Sequence, residues 1–306
     1  MKQIFDFYKG KRVLVTGGAG FIGSHLVEQL VECGAIVSVF DNFSTGSLNN
    51  LRNVLTNVTI FYADICSQHS LAKAIARQDI VFHMAALTSV QESVDNPGLC
   101  KKINVTGTHL LLKECVRNDV KRFVFASSCA VYGSRSTPCC EDDTPRPESP
   151  YAVSKLEGEK LCAEYAEEYL LPTSMLRYFN VFGPRQADMN QYATVVATFT
   201  NNLLTGKPLT IFGNGSQTRD FIHVSDVVMA NLAIGTSPSC RGDIFNIGTG
   251  SSKNLFQLIE QLEEQLQAKR VAITFQPARR GDVAHSSAQC DKYANFIEQL
   301  GVQSLD

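Results

Sequence analysis

No C-x-x-C pair occurs among the ten cysteines, and the six histidines are scattered without the paired spacing of a metal site. The first absence removes zinc ribbons and dithiol redox centres, and the second leaves no candidate metal ligands. Most of the thiols fall in apolar helical or strand-like runs, so they read as reduced side chains of a cytoplasmic protein rather than a disulfide framework. No apolar run approaches the ~20 residues that cross a bilayer. The opening residues, Met1 to Asp6 leading into Lys9 to Arg12, are unlike a secretory signal. Lysine and arginine number 28 against 30 acids, a net charge of -2. That balance leaves no cationic surplus to attract nucleic acid or a membrane surface. Any anion site must therefore be local. Repeats, low-complexity tracts and flexible linkers are also missing.

What is there suits a large soluble core. With 306 residues, 44% of them hydrophobic and 19% charged, the chain suffices for one large domain or two intimately joined ones. Short β-rich runs at Arg12 to Thr16, Ile36 to Phe40, Val58 to Tyr62, Ile80 to Met84, Arg122 to Ala126 and Thr173 to Tyr178 alternate with helical periodicity at Phe21 to Cys33, Ser67 to Arg77, Pro97 to Asn118 and Tyr151 to Leu170. That rhythm predicts an α/β fold, a doubly wound parallel sheet of Rossmann type, over residues 1–180. From Val181 the regularity fails at Gly183-Pro184, Gly206-Lys207-Pro208 and Gly213-Asn214-Gly215. Residues 181–306 read as a smaller C-terminal substrate-binding lid, with a segment near 220–250 returning to the sheet. It contains a strand-like run at Asp243 to Ile247 and a helix at Asn254 to Ala268.

Directly after the first strand comes Thr16-Gly17-Gly18-Ala19-Gly20-Phe21-Ile22-Gly23, and a helical run follows. Glycines at this G-x-x-G-x-x-G spacing permit a tight turn, close backbone approach to a pyrophosphate, and packing of helix on strand. Asp41 lies 18 residues past Gly23 at the end of the second strand. It suits the adenosine ribose hydroxyls and disfavours a 2'-phosphate, which selects NAD over NADP. Asp64, ending the third strand, suits the adenine amino group or a helix cap, and both readings stand. The run Ser149-Pro150-Tyr151-Ala152-Val153-Ser154-Lys155 opens with a helix-start signal and sets a phenol and an ammonium one turn apart on one face. A free phenol titrates near ~10, too high for a base at neutral pH, so catalysis needs about 4 kcal/mol of cationic help. One charge ~5 Å away at an effective dielectric of ~20 supplies only about 3 kcal/mol. An oxidised nicotinamide would supply the rest. Alone, the Tyr-Lys spacing better fits a surface helix with a half-buried tyrosine.

Taken together, Gly17 to Gly23, Asp41 to Gly46, His83 to Ala86, Asn104 to Thr108, Ser127 to Gly133, Tyr151 to Lys155 and Arg177 to Pro184 resemble the extended short-chain dehydrogenase/reductase family. Within it they resemble the nucleotide-sugar epimerases that act on UDP-glucose and UDP-N-acetylglucosamine. The likeness covers nearly the whole chain. It implies that Ser128 is the catalytic hydroxyl, Tyr151 the base and Lys155 its partner on the nicotinamide ribose. It places Phe21, Ile22, Asn42, Ser44, Thr45, Gly46, Ile65, Ala85, Ala86, Asn104 and Tyr178 with Gly17, Gly20, Gly23, Asp41 and Asp64 around the cofactor, Asn104 belonging to the family's structural and relay group near Lys155. On the substrate side it implies Asn180, Thr194, Val195, Arg219, Arg279 and Asp282. Thr210 and Phe212 are set to flank the uracil, although Phe212 also suits the lid core. The forked guanidiniums of Arg219 and Arg279 match a diphosphate.

The resemblance also separates reactions. Relatives that remove water or carbon dioxide carry an acid between the Ser/Thr and the Tyr-Gly turn, whereas this chain has Cys129 and Ala130. Simple inversion of carbon 4 of a UDP-hexose is therefore the expected activity. The rivals are epimerisation of UDP-glucuronate, a nucleotide-sugar dehydratase or decarboxylase, and a non-catalytic NAD-sensing protein, which would usually lose the tyrosine or lysine. Ser286 stands where a bulky residue restricts the sugar pocket of related epimerases, so N-acetylated sugars are expected to enter as well. The helical segments Pro97 to Asn118 and Tyr151 to Leu170 correspond to those that pair subunits in this family. A homodimer is expected, although their apolar faces could also be buried within one chain.

Overall fold

The computed structural model describes residues 1–135, 137–186, 195–237, 240–277 and 285–301. Six strands come from the first 180 residues: β1 (Arg12–Thr16), β2 (Ile36–Asp41), β3 (Val58–Tyr62), β4 (Ile80–His83), β5 (Arg122–Ser128) and β6 (Thr173–Tyr178). Beyond them lie β7 (Asn180–Phe182), β8 (Leu209–Phe212), β9 (Thr218–His223), β10 (Asp243–Ile247), β11 (Ser252–Asn254), β12 (Ile273–Gln276) and β13 (His285–Ser286). The main sheet has seven strands in the order β10-β6-β5-β4-β1-β2-β3, all paired in parallel. Burial on both faces explains why its central strands are almost continuously apolar: Val13, Leu14, Val15, Val81 and Phe82 have no exposed surface. Strand order reverses between β1 and β4. In such sheets a ligand crevice opens there, beyond the carboxyl ends of the strands.

Helices cover the two faces. On one, Phe21–Glu32 and Val224–Thr236 share a core through Leu26, Val27, Leu30, Val227 and Val228. On the other, Gln68–Ile75, Gly107–Arg117 and Pro150–Glu168 pack through Leu71, Leu111, Leu112 and Cys162. The stretch expected as one helix over Pro97 to Asn118 is divided. A π-turn at Lys102–Thr106 separates the helices Pro97–Lys101 and Gly107–Arg117. Such bulges rotate the residues within them relative to a regular helix, and this one carries Asn104.

After β6 the chain leaves the sheet, returns through Val224–Thr236 and β10, and leaves again. Outside the sheet, β9 sits between β11 and β13 with β7 also paired to it, while β8 and β12 form a separate two-stranded ribbon. The ribbon closes over a small core of its own, with Phe199, Leu203, Leu209, Ile211, Leu258 and Ile259. The Leu255–Leu266 helix begins at a capping box in which Asn254 and Gln257 satisfy each other's backbone amides. No helix among the described residues is long and apolar enough to cross a membrane.

Candidate active site

The glycine turn is built around spaces that no side chain could enter. Gly17 has φ +65°, and a Cβ on it would stand 2.7 Å from the Ala85 amide nitrogen. One on Gly23 would stand 2.2 Å from the Gly17 carbonyl oxygen, and one on Gly46 would stand 2.9 Å from the Ala19 carbonyl carbon. Asp41 ties this turn to the following loop: Oδ2 accepts from the Ala19 amide at 2.9 Å and Oδ1 from the Phe43 amide at 2.8 Å. Each carboxylate oxygen keeps acceptor capacity for a hydroxyl. Asn42 accepts from the Ser44 amide at 3.1 Å and reaches Asp64 at 3.4 Å, whose other oxygen accepts from the Cys66 amide. Phe21, Ile22, Ala85 and Ala86 are half-buried about the turn, Thr45 is exposed, and Ile65 is buried against Gly107. A bare backbone at a helix N-terminus with an acid at the second strand end fits a dinucleotide.

Beside this turn, the helix Pro150–Glu168 docks on the end of β5. Its start follows the expected chemistry: Ser149 Oγ accepts from the Ala152 amide at 3.1 Å and Pro150 takes the first position. Tyr151, Lys155 and Glu159 recur every four residues and form one stripe. Each meets a different residue of β5. The Tyr151 phenol lies near enough to Ser128 for that hydroxyl to favour its ionised form. Lys155 Nζ donates to the Ala126 carbonyl at 2.8 Å, and Glu159 Oε1 accepts from the Ser127 hydroxyl at 2.5 Å. Burial pushes the phenol up to about 12, offset in part by Ser128. Burial also lowers Lys155 to about 8. The ammonium lies 5.9 Å from the Tyr151 ring centroid and 5.1 Å from that of Phe125. The protein by itself thus leaves the phenol a poor base, and a further positive charge is required to reverse the shift.

Two groups that sequence reasoning missed hold this stripe in place. Arg177 on β6 makes a forked pair with Glu159, at 2.9 Å and 2.7 Å, and both are almost completely buried. Its guanidinium stacks 4.6 Å from the Tyr132 ring, whose hydroxyl donates to Asn246 on β10 at 2.6 Å. The second group is a chain of contacts from β1 to the π-turn. His83 Nδ1 lies 2.7 Å from the Thr16 hydroxyl and Nε2 lies 2.8 Å from the Thr108 hydroxyl, which donates to the Asn104 carbonyl. Burial and the nearby Lys155 charge depress His83 to about 3, so it is a neutral strut. The signal for Glu159 was present in the four-residue recurrence after Tyr151 and Lys155. Arg177 and His83 open runs that carry the family resemblance, but nothing local marked their contacts, because their partners are distant in sequence.

Asn104, expected on the cofactor side and in the structural group near Lys155, has its side chain committed to the protein: it exchanges two hydrogen bonds with the Leu87 backbone and donates to Ser154 at 2.9 Å. Ser154 in turn donates to the Tyr151 carbonyl at 2.7 Å, so Asn104 braces the catalytic helix. Tyr178 is buried as well, and its hydroxyl donates to Asn231 at 2.8 Å.

Beyond β5, the structure brings Arg219 and Ser286 together as register partners on β9 and β13. Ser286 Oγ lies 3.8 Å from Cys129 Sγ, directly after Ser128. Burial pushes that thiol up to about 11, so it is a small neutral wall. Arg219 also donates to the Thr218 carbonyl at 2.9 Å, and Asn180 donates to the Asp220 carbonyl at 3.1 Å. Thr210 and Phe212 lie apart on the β8 ribbon, where Thr210 meets Thr274 and the Phe212 carbonyl accepts from Gln217 at 2.8 Å. Val195 opens the helix Val195–Thr205. Thr194, Arg279 and Asp282 lie outside the described residues.

Comparison with known proteins matches this arrangement to a family. The sequence model of the NAD dependent epimerase/dehydratase family covers residues 13–248. A UDP-glucose 4-epimerase of Mycolicibacterium smegmatis is 38% identical over 281 residues, 90% of this chain and 88% of that protein. A UDP-N-acetyl-alpha-D-glucosaminuronate decarboxylase of Bacillus cytotoxicus is 33% identical over 311 residues, 96% of each chain. Among solved structures, a UDP-N-acetylglucosamine 4-epimerase from Methanobrevibacter ruminantium, in complex with UDP-N-acetylmuramic acid, superposes with a TM-score of 0.90 at 36% identity, over 94% of this chain and 92% of that one.

Proposed function

Because the chain belongs to the NAD dependent epimerase/dehydratase family, we propose that it inverts carbon 4 of a UDP-hexose through a transient 4-keto sugar. One observation carries the choice of reaction. Tyr151 and the buried Lys155 stand one helical turn apart on the helix that packs on β5, and the residues that follow Ser128 are Cys129 and Ala130. Loss of water or carbon dioxide calls for a further acid or base after oxidation. A neutral thiol and a methyl group cannot act as one.

In this reading the glycine turn from Gly17 to Gly23 and Asp41 hold NAD. When bound, NAD supplies a hydride acceptor that returns what it takes, and a positive ring beside the phenol. Tyr151 removes the proton from the sugar 4-hydroxyl, directly or through Ser128, and gives it back after the sugar has turned. Lys155 favours the phenolate by its charge. Arg219, with Arg279, grips the diphosphate, so that the nucleotide stays fixed while the sugar presents its other face. Asn180, Thr194, Val195, Thr210, Phe212 and Asp282 complete the nucleotide side.

Ser286 and Cys129 form a small, uncharged wall. This supports UDP-N-acetylglucosamine as a substrate beside UDP-glucose. Ser286→Tyr should abolish turnover of the N-acetylated sugar and spare UDP-glucose; equal turnover of both by the variant would overturn this assignment. A second copy of the chain is proposed to cover the exposed Val90, Val94, Leu99 and Val153 of adjoining helices, and mass in solution tests it.

The reaction is tested by incubating the protein, without added NAD, with UDP-glucose, UDP-N-acetylglucosamine and UDP-glucuronate separately, and following the anomeric proton signals. Appearance of the 4-epimer of either hexose supports the reading. Conversion of the uronate alone, or release of carbon dioxide or water, selects a rival.

A further inference from the structure

Asp220 lies beside Arg219 on β9 and has no exposed surface. Strand alternation sends its carboxylate to the face opposite Arg219. There it collects four donors from two other segments. Oδ1 accepts from the Thr249 amide at 2.8 Å and the Thr249 hydroxyl at 2.7 Å. Oδ2 accepts from the Gly250 amide at 3.0 Å and the Ala288 amide at 3.1 Å. The Asp220 carbonyl adds the bond from Asn180 at 3.1 Å. All these donors are neutral, and among the described residues no cation pairs with the carboxylate.

A buried carboxylate is tolerated only where its acceptor sites are filled, and about four are available. Here the four together tie β9 to two separate stretches of chain, residues 249–250 and Ala288. The strands concerned can contribute little register of their own: β7 and β11 have three residues each and β13 has two. The junction is also close-packed. A Cβ on Gly248 would stand 2.9 Å from Asp220 Oδ2 and 2.7 Å from the Ala288 Cβ. The stretches gathered in this way carry Asn180, Arg219 and Ser286.

We propose that Asp220 is a positioning residue that fixes the Ser286–Ala288 segment and Asn180 against Arg219, setting the width and register of the nucleotide-sugar cleft. The inference rests on the UDP-sugar reading above. It places the effect of Asp220 on the nucleotide side alone, because its hydrogen bonds run to β7, to residues 249–250 and to Ala288, and none runs to the glycine turn.

Two variants test it. Asp220→Asn sets an N–H donor against amide donors that a carboxylate oxygen had satisfied, and Gly248→Ala presses on the same junction from the other side. The full chain is purified with its bound cofactor. Cofactor content, UDP binding by calorimetry, melting temperature, and kcat and KM with UDP-glucose are then measured. Both variants should keep wild-type cofactor content, bind UDP at least tenfold more weakly, and raise KM at least tenfold while kcat changes less than threefold. A lowered melting temperature with UDP affinity and KM within twofold of wild type would overturn the positioning role. If Asp220→Asn does not fold, the same two outcomes in Gly248→Ala decide. Wild-type protein that neither binds UDP nor converts UDP-glucose would instead refute the UDP-sugar reading beneath it.

Discussion

At the residue scale, burial moves Tyr151 and Lys155 in directions that each oppose charge. For the lysine, moving from 10.5 to about 8 corresponds to about 3 kcal/mol of disfavoured ammonium. The unfolded chain binds this proton more readily than the folded one. The penalty is therefore full below about pH 8 and fades as pH rises toward 10.5. Lys155→Met, of similar length and uncharged, should make the cofactor-free protein more stable than wild type at pH 7, by up to about 3 kcal/mol in denaturant titration. The gap should close between pH 8 and 10.5, and a gap that widens over that window would contradict the cause given. Turnover should be lost. Tyr151→Phe removes the hydroxyl that Ser128 meets, so it should fold and retain NAD but lose about 10²–10⁴ in kcat. Near-normal kcat in that variant would rule out the phenol as proton carrier.

At the element scale, the helix Pro150–Glu168 is the part that presents chemistry, and Glu159 with Arg177 fixes its position on β5 and β6. Removing one member of a buried pair strands the other charge. Arg177→Met alone should cost about 3–5 kcal/mol, whereas Glu159→Leu combined with Arg177→Met should recover most of that loss. Denaturation midpoints of the two variants make the comparison, and equal losses would show that the pair does no more than fill space. Much at this scale was legible in the sequence. Ser149 and Pro150 marked the helix start, and β1, β3, β6 and β10 begin and end where their apolar runs do. Three features were not legible, each for a physical reason. The π-turn at Lys102–Thr106 keeps helical apolar spacing, so nothing in the pattern reveals it. β7, β11 and β13 have two or three residues, too few to show alternation. Asp220 and Arg177 act on partners 18 to 68 residues away, and no local pattern encodes those contacts.

At the scale of the whole molecule, the carboxyl end of β1 carries the glycine turn, and in the proposed reaction β5 and its helix supply the proton carrier while the β9 group forms the substrate wall. The chain reaches this by leaving the sheet after β6 and returning through Val224–Thr236 and β10, so that Asn246 on β10 meets Tyr132 beside the catalytic strand. Asp220 and Glu159 are buried acids, each of which joins separate elements of these parts. This arrangement predicts a closed cycle in which nothing is lost or gained at carbon 4 except its configuration. The most direct test is to convert UDP-glucose deuterated at carbon 4, with no added NAD, and locate the label by nuclear magnetic resonance. UDP-galactose should form with deuterium retained at carbon 4. Label found at carbon 6, or exchanged for solvent hydrogen, would contradict it.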